Sequence, residues 1–208
     1  MEKENIIICF CKHPEDGLVK SRLAKDLGAQ RATKIYTTLL QETLNNMISS
    51  RFKIILYCYP DTLHPALEHY RDKYSLTLEK QHDGNLGMKM YKAIMNYLNE
   101  NTNVVLIGSD CLEIDAAYIQ KAFEELNSGN DIVLSPTEDG GYALIGMNKI
   151  DVSIFQNIAW STNQVLNQTK EKASKLNWKI SCLPKLRDLD VLADYEYFSH
   201  HEEYSHLF

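Results

Sequence analysis

The stretch "NIIICFCKHPEDGLVKSRLAKDLG", residues 5–28, decides the fold. Its first seven residues carry no charge, as expected of a strand covered on both faces, and sheets buried in that way are mostly parallel with helices on each side. Lys12, Pro14, Gly17, Lys20 and Arg22 then crowd into a loop that leads towards a helix. A strand that ends in such a loop brings cations and helix amides to the carboxyl edge of the sheet, where open α/β sheets bind anionic ligands. The stretch holds neither GxxxxGK[ST] nor GxGxxG, so it is not a P-loop or a dinucleotide fingerprint. On spacing alone, a solvated basic loop is an equal alternative.

Working outward, short apolar runs recur at 53–59, 75–79, 103–108, 131–135, 142–147 and 178–183. Between them "AQRATKIYTTLLQETLNNMIS", "LGMKMYKAIMNYLNE" and "DAAYIQKAFEELN" space apolar residues by three and four, as amphipathic helices do, with Asp115 as an N-cap for the third. The alternation predicts an α/β, three-layer α/β/α sandwich with a mostly parallel mixed sheet, and no repeat or linker divides residues 1–208 into more than one domain.

The net charge of −6 over 208 residues argues against a nonspecific nucleic-acid partner, which would need a basic face. No run approaches the roughly 18 apolar residues of a membrane span, and "MEKEN" lacks the features of a signal peptide, so a cytoplasmic protein with no membrane partner is expected. Five cysteines without CxxC spacing read as reduced thiols; Cys9, Cys11, Cys58 and Cys182 fall inside apolar runs and are expected to be buried.

The segments after the strands carry the chemistry. "VVLIGSDC" delivers Asp110 to the sheet edge, where one carboxylate can hold a divalent ion, Mg2+ or Mn2+, against phosphate oxygens; a turn role is the commoner reading. Asp188 and Asp190 in "LRDLDVLADY" share one face of an extended segment and can complete a metal site with Asp110. In "LSPTEDGGYALIG", Asp139 and Gly140 signal a hairpin, and Asp139 beside Gly140, Gly141 and Tyr142 is also a candidate for recognising the hydroxyls or activated group of an acceptor. Trp160 either packs or covers a ligand, and Ser161 suits a helix N-cap. The tail, "SHHEEYSHLF", reads as solvated or as a contact between two copies, making a homodimer possible.

Six pieces in order, "KHPEDGLVKSRL", "LGMKM", "GSDCL", "DGGYALIG", "WST" and "DLDVLAD", resemble the pattern of a bacterial GT-A transferase family called radical-SAM/selenodomain-associated transferase 1. The segment "VKSRLAKDLGAQRA" and the closing acidic pair are also similar to 2-phospholactate guanylyltransferase. The resemblance implies a GT-A fold, of the nucleotide-diphospho-sugar transferase type. It also implies a nucleotide donor, a small-molecule acceptor and a divalent ion. Carried onto this chain, it makes Lys20, Arg22 and Asp110 catalytic, with Lys12, Lys20 and Arg22 holding phosphates, and makes Asp110, Asp188 and Asp190 metal ligands, with the acceptor side as the alternative for Asp188 and Asp190. Lys12, Gly17, Lys89, Asp139, Gly140, Gly141, Tyr142, Trp160, Ser161 and Thr162 become substrate-binding. The chain departs from the pattern at Lys89, Leu112 and Val191–Ala193. The expected reaction is nucleotidyl transfer from a nucleoside triphosphate to a small phosphorylated or acidic acceptor. Glycosyl transfer from a nucleotide sugar, or nucleotide binding without turnover, are the alternatives.

Overall fold

The computed structural model describes residues 3–208. Seven strands among them form one sheet: β1 (Glu4–Lys12), β2 (Lys53–Tyr59), β3 (Thr77–Lys80), β4 (Thr102–Gly108), β5 (Ile132–Pro136), β6 (Tyr142–Met147) and β7 (Ile180–Cys182). Their order is β3-β2-β1-β4-β6-β5-β7. Every expected strand is present, with ends displaced by at most two residues. β6 alone runs against its neighbours, pairing antiparallel with β4 and β5, because the short connection after Pro136 leaves no chain for a crossover. The remaining pairings are parallel.

The helices are α1 (Ala24–Leu27), α2 (Ala29–Ser49), α3 (Pro65–Tyr74), α4 (Leu86–Met95), α5 (Ala116–Asn127), α6 (Val165–Lys175) and α7 (Leu192–His200). Strand side chains alternate between two faces, so β1 sends Ile7, Cys9 and Cys11 into one core and Ile6 and Ile8 into the other. The first core is closed by Tyr36, Leu40 and Leu44 of α2, Leu67 of α3 and Phe123 of α5. Met90, Ala93 and Ile94 of α4, with Ala173 of α6, close the second. Each large side chain buried in this way contributes about 1.5–3 kcal/mol. Helices on both faces of a central sheet make the expected three layers.

Four details differ from the sequence reading. The basic residues do not stand at the start of the long helix, because the four-residue α1 and Gly28, at φ 82°, intervene before Ala29. Ser161 does not cap α6, which begins at Val165. Cys182 is exposed because β7 is an edge strand, whereas the other four thiols are buried. The tail is not merely solvated: Tyr204, Leu207 and Phe208 pack against the buried cluster of Leu23, Ile35, Leu39, Leu189 and Phe198. Asp115 does cap α5, accepting from the Tyr118 N–H at 2.6 Å. Among the described residues no helix is long and apolar enough to cross a membrane.

Candidate functional site

The carboxyl ends of β1 and β4 and the start of β6 open into a cleft of about 650 Å³. Part of its lining is apolar and continues the second core: Phe10, Leu86, Met90, Leu106, Ile145 and the Tyr142 ring. The remainder is charged, with Lys12, Lys20, Arg22 and Lys89 facing the same space as Asp110, Asp188 and Asp190.

Tyr36 of α2 fixes the two strand ends. Its hydroxyl lies 2.7 Å from the Lys12 N–H, which donates to it, and 3.0 Å from Ser109 Oγ. Burial pushes its phenol pKa up, so it stays a neutral linker between β1 and β4. Nothing in the spacing of α2 marked this residue as other than a core aromatic.

Lys20 lies at the centre. Its side chain is only 2% exposed, its Nζ lies 2.7 Å from Asp110 Oδ1, and it also donates to the Leu189 carbonyl. One ammonium therefore ties the loop after β1, the end of β4 and the 186–190 segment together. Its backbone sits at φ 48°, a conformation a side chain adopts only when its surroundings enforce it. A second tie is made by the backbone, where the Leu189 N–H donates to the Asp110 carbonyl at 3.0 Å.

Arg22 differs from Lys20 in being exposed. Its Nη1 pairs with Asp190 Oδ2 at 2.7 Å, with side chains 62% and 41% exposed. Such a pair contributes at most about 1 kcal/mol and can be exchanged for another anion. Asp194 accepts from the N–H groups of Asp190 and Val191, each at 3.0 Å, and so fixes the start of α7.

Asp188 is the most perturbed carboxyl of the cleft. Burial, and then the charges of Asp110, Asp139 and Asp190, push its pKa up to about 7, with Lys20 opposing. Among the described residues no three His, Cys, Asp or Glu groups are already spaced to chelate an ion. The donor chemistry of Asp110, Asp188 and Asp190 nevertheless fits a hard divalent cation, which takes carboxylate oxygens. The raised pKa of Asp188 comes first from burial and then from the neighbouring carboxylates, and a cation held there would offset both.

The other candidates divide. Lys89 lines the cleft, its Nζ 4.9 Å from the centre of the Tyr59 ring, and exposed Ser161 lines it at φ 64°. Gly17, Gly141, Trp160 and Thr162 are not part of the cleft wall. Thr162 Oγ1 donates to the Ala159 carbonyl, and Asp139 accepts from Thr137 Oγ1 and the Gly141 N–H, holding the hairpin. Gly140 packs on the chain rather than on a ligand face: a Cβ there would come within 2.4 Å of the Asn163 carbonyl. The Trp160 ring lies over Gly87, where a Cβ would meet it at 2.6 Å, so it packs. Burial pushes the Tyr142 phenol pKa up and the Cys111 thiol pKa up, which argues against reactivity at either. Beyond Asp110, Asp188 and Asp190, a smaller hollow of about 300 Å³ is lined by Glu138, Asp139, Arg187 and Asp194 as well.

A family model described as an uncharacterized protein conserved in bacteria, DUF2064, matches residues 43–162. No curated protein matches the chain. A crystal structure from Desulfovibrio desulfuricans G20, of a protein provisionally named a nucleotide-diphospho-sugar transferase, has a TM-score of 0.86 and 26% identity, covering 99% of this chain and 94% of that one. A nucleotidyl transferase from Methanothermobacter thermautotroptrophicus shares the fold at a TM-score of 0.63 and 10% identity, over 100% and 98% of the two chains. Rv0371C from Mycobacterium tuberculosis H37Rv, crystallised as a manganese complex, shares it at 0.51 and 14%, over 95% and 98%.

Proposed function

The chain belongs to the DUF2064 family, and on that footing we propose that it is a metal-dependent transferase that uses a nucleotide-activated donor, most simply by moving a nucleotidyl group from a nucleoside triphosphate to a small acceptor. The observation that carries this reading is the cleft itself, where an apolar half suited to a flat base adjoins Lys12, Arg22 and Lys89, suited to a triphosphate, and three carboxylates suited to its ion, with Lys20 buried behind them. The provisional name of the Desulfovibrio protein and the manganese bound by Rv0371C point the same way.

In this reading the exposed Arg22, with Lys12 and Lys89, holds phosphate oxygens. Arg22 exchanges its solvated pair with Asp190 for them. Lys20 takes a different role from the one its sequence position suggests. Buried against Asp110 and the Leu189 carbonyl, it positions the carboxylate rather than meeting the ligand. Asp110, Asp188 and Asp190 would hold the divalent ion, which would neutralise charge on the phosphate oxygens. The acceptor oxygen bonds to the α-phosphorus as the bond to the β-phosphate oxygen breaks, and the residues contribute placement and charge compensation rather than a covalent nucleophile.

The smaller hollow, on the far side of the three carboxylates, is the place for the acceptor. Its lining of Asp110, Glu138, Asp139, Asp188, Asp190 and Asp194 against Arg22 and Arg187 favours a hydroxyl- or amine-bearing acceptor over the phosphorylated or acidic one expected from the sequence. The test is product mass. Protein incubated with Mg2+ or Mn2+ and a mixture of nucleoside triphosphates and acceptors should release pyrophosphate and form nucleotidylated product. Turnover of UDP- or GDP-sugars alone would replace this reading by glycosyl transfer. Ligand binding without product from either donor would leave a nucleotide-binding module.

A further inference from the structure

The residue immediately after β3, Gln81, stands at the carboxyl edge of the sheet. Gln81 lines the cleft, and three hydrogen bonds fix it there: its backbone N–H donates to the Cys58 carbonyl at 2.9 Å, and its Nε2 donates to the carbonyls of Cys11 and Tyr57, each at 3.1 Å. A side-chain amide has two N–H donors, and both are spent on strand carbonyls. The reversed amide would set Oε1 against those same two carbonyls, so the orientation is forced by repulsion. Oε1 is left as the atom without a partner among the described residues, an acceptor with no donor to offer.

Its surroundings are those of a base rather than of a phosphate. Gln81 is bonded to the carbonyl of Tyr57, whose ring packs on Phe10 with centroids 5.8 Å apart, and Phe10, Leu86 and Met90 form the apolar part of the cleft. Resting on the nucleotide reading of this cleft, we infer that Gln81 is a specificity-determining residue. Its Oε1 accepts from the exocyclic amine of an amino base, adenine or cytosine, and disfavours a keto base whose oxygen at that ring position would face it. Opposed lone pairs, or a buried acceptor left without a donor, cost affinity where a matched pair costs none.

The experiment measures equilibrium dissociation constants in Mg2+ for CTP against UTP, and for ATP against purine riboside triphosphate, which lacks the amine. Wild-type protein is expected to prefer the amine-bearing member of each pair by about tenfold. Gln81→Met keeps the length of the side chain but removes the acceptor, and should bring both ratios close to one while triphosphate binding persists. Equal affinities in the wild type, or ratios that survive in Gln81→Met, overturn the assignment while leaving the nucleotide reading intact. Absence of binding by all four triphosphates overturns both. If Gln81→Met melts too early to assay, the two wild-type ratios decide alone.

Discussion

At Lys20 a backbone φ of 48° and a nearly inaccessible ammonium coexist with an ion pair to Asp110. Asp110→Asn should destabilise the protein by up to about 3 kcal/mol, less than breaking a fully buried pair because Asp110 is half exposed and Lys20 keeps the Leu189 carbonyl. Lys20→Met with Asp110→Asn should cost less than the sum of the single changes; additive losses in urea unfolding would show that the two side chains are independent. Asp188 makes an opposite contribution. Its native pKa of about 7 lies above the ordinary carboxyl value, so the folded chain holds that proton more tightly than the unfolded one, and stability falls as pH rises from about 4 to about 7. A shift of this size corresponds to roughly 4 kcal/mol above pH 7. In chelator-treated buffer, Asp188→Asn should melt higher than wild type at pH 8, with the difference closing towards pH 4; a difference independent of pH would contradict the assigned cause. Asp110 could be picked out as a residue next to a strand end, and Arg22 as a cation in the loop that follows one. Their partners could not, since Arg22 and Asp190 are 168 positions apart. Gln81 was within reach of the same strand-end rule, one residue beyond Lys80, and Tyr36 was not.

Elements place these residues, and their ends matter more than their middles. The 186–190 segment is held beside the sheet by the Leu186 N–H on the Pro136 carbonyl and the Arg187 N–H on Glu113 Oε2 at 2.6 Å, which sets Asp188 and Asp190 at the cleft. The β5–β6 hairpin is held from outside by Gly140, at φ 89° and against Asn163, so Gly140→Ala should cost more than about 2 kcal/mol. A urea midpoint unchanged by that substitution would mean that the 159–164 segment yields freely. Periodicity located α2 because a 21-residue amphipathic run is unambiguous. It did not anticipate α1, since four residues carry no period; the reversed β6 was signalled by the Asp139-Gly140 turn rather than by periodicity, since a strand's direction is set by its connection and not by its side chains.

Over the whole molecule, an acidic chain gathers four cations at one rim of its sheet and sets three carboxylates among them. The layers and both cores follow from alternation along the strands, which the sequence displays openly. The rim depends on tertiary closure, with side chains from the loop after β1, the end of β4 and the segment after β7 meeting in one place. That convergence is the central claim, and calorimetric titration of a nucleoside triphosphate, with and without Mg2+, tests it most directly. Binding should weaken by about tenfold or more when the ion is withheld, and by a comparable factor in Arg22→Gln. Affinity indifferent to both the ion and Arg22, or no binding at all, would contradict it.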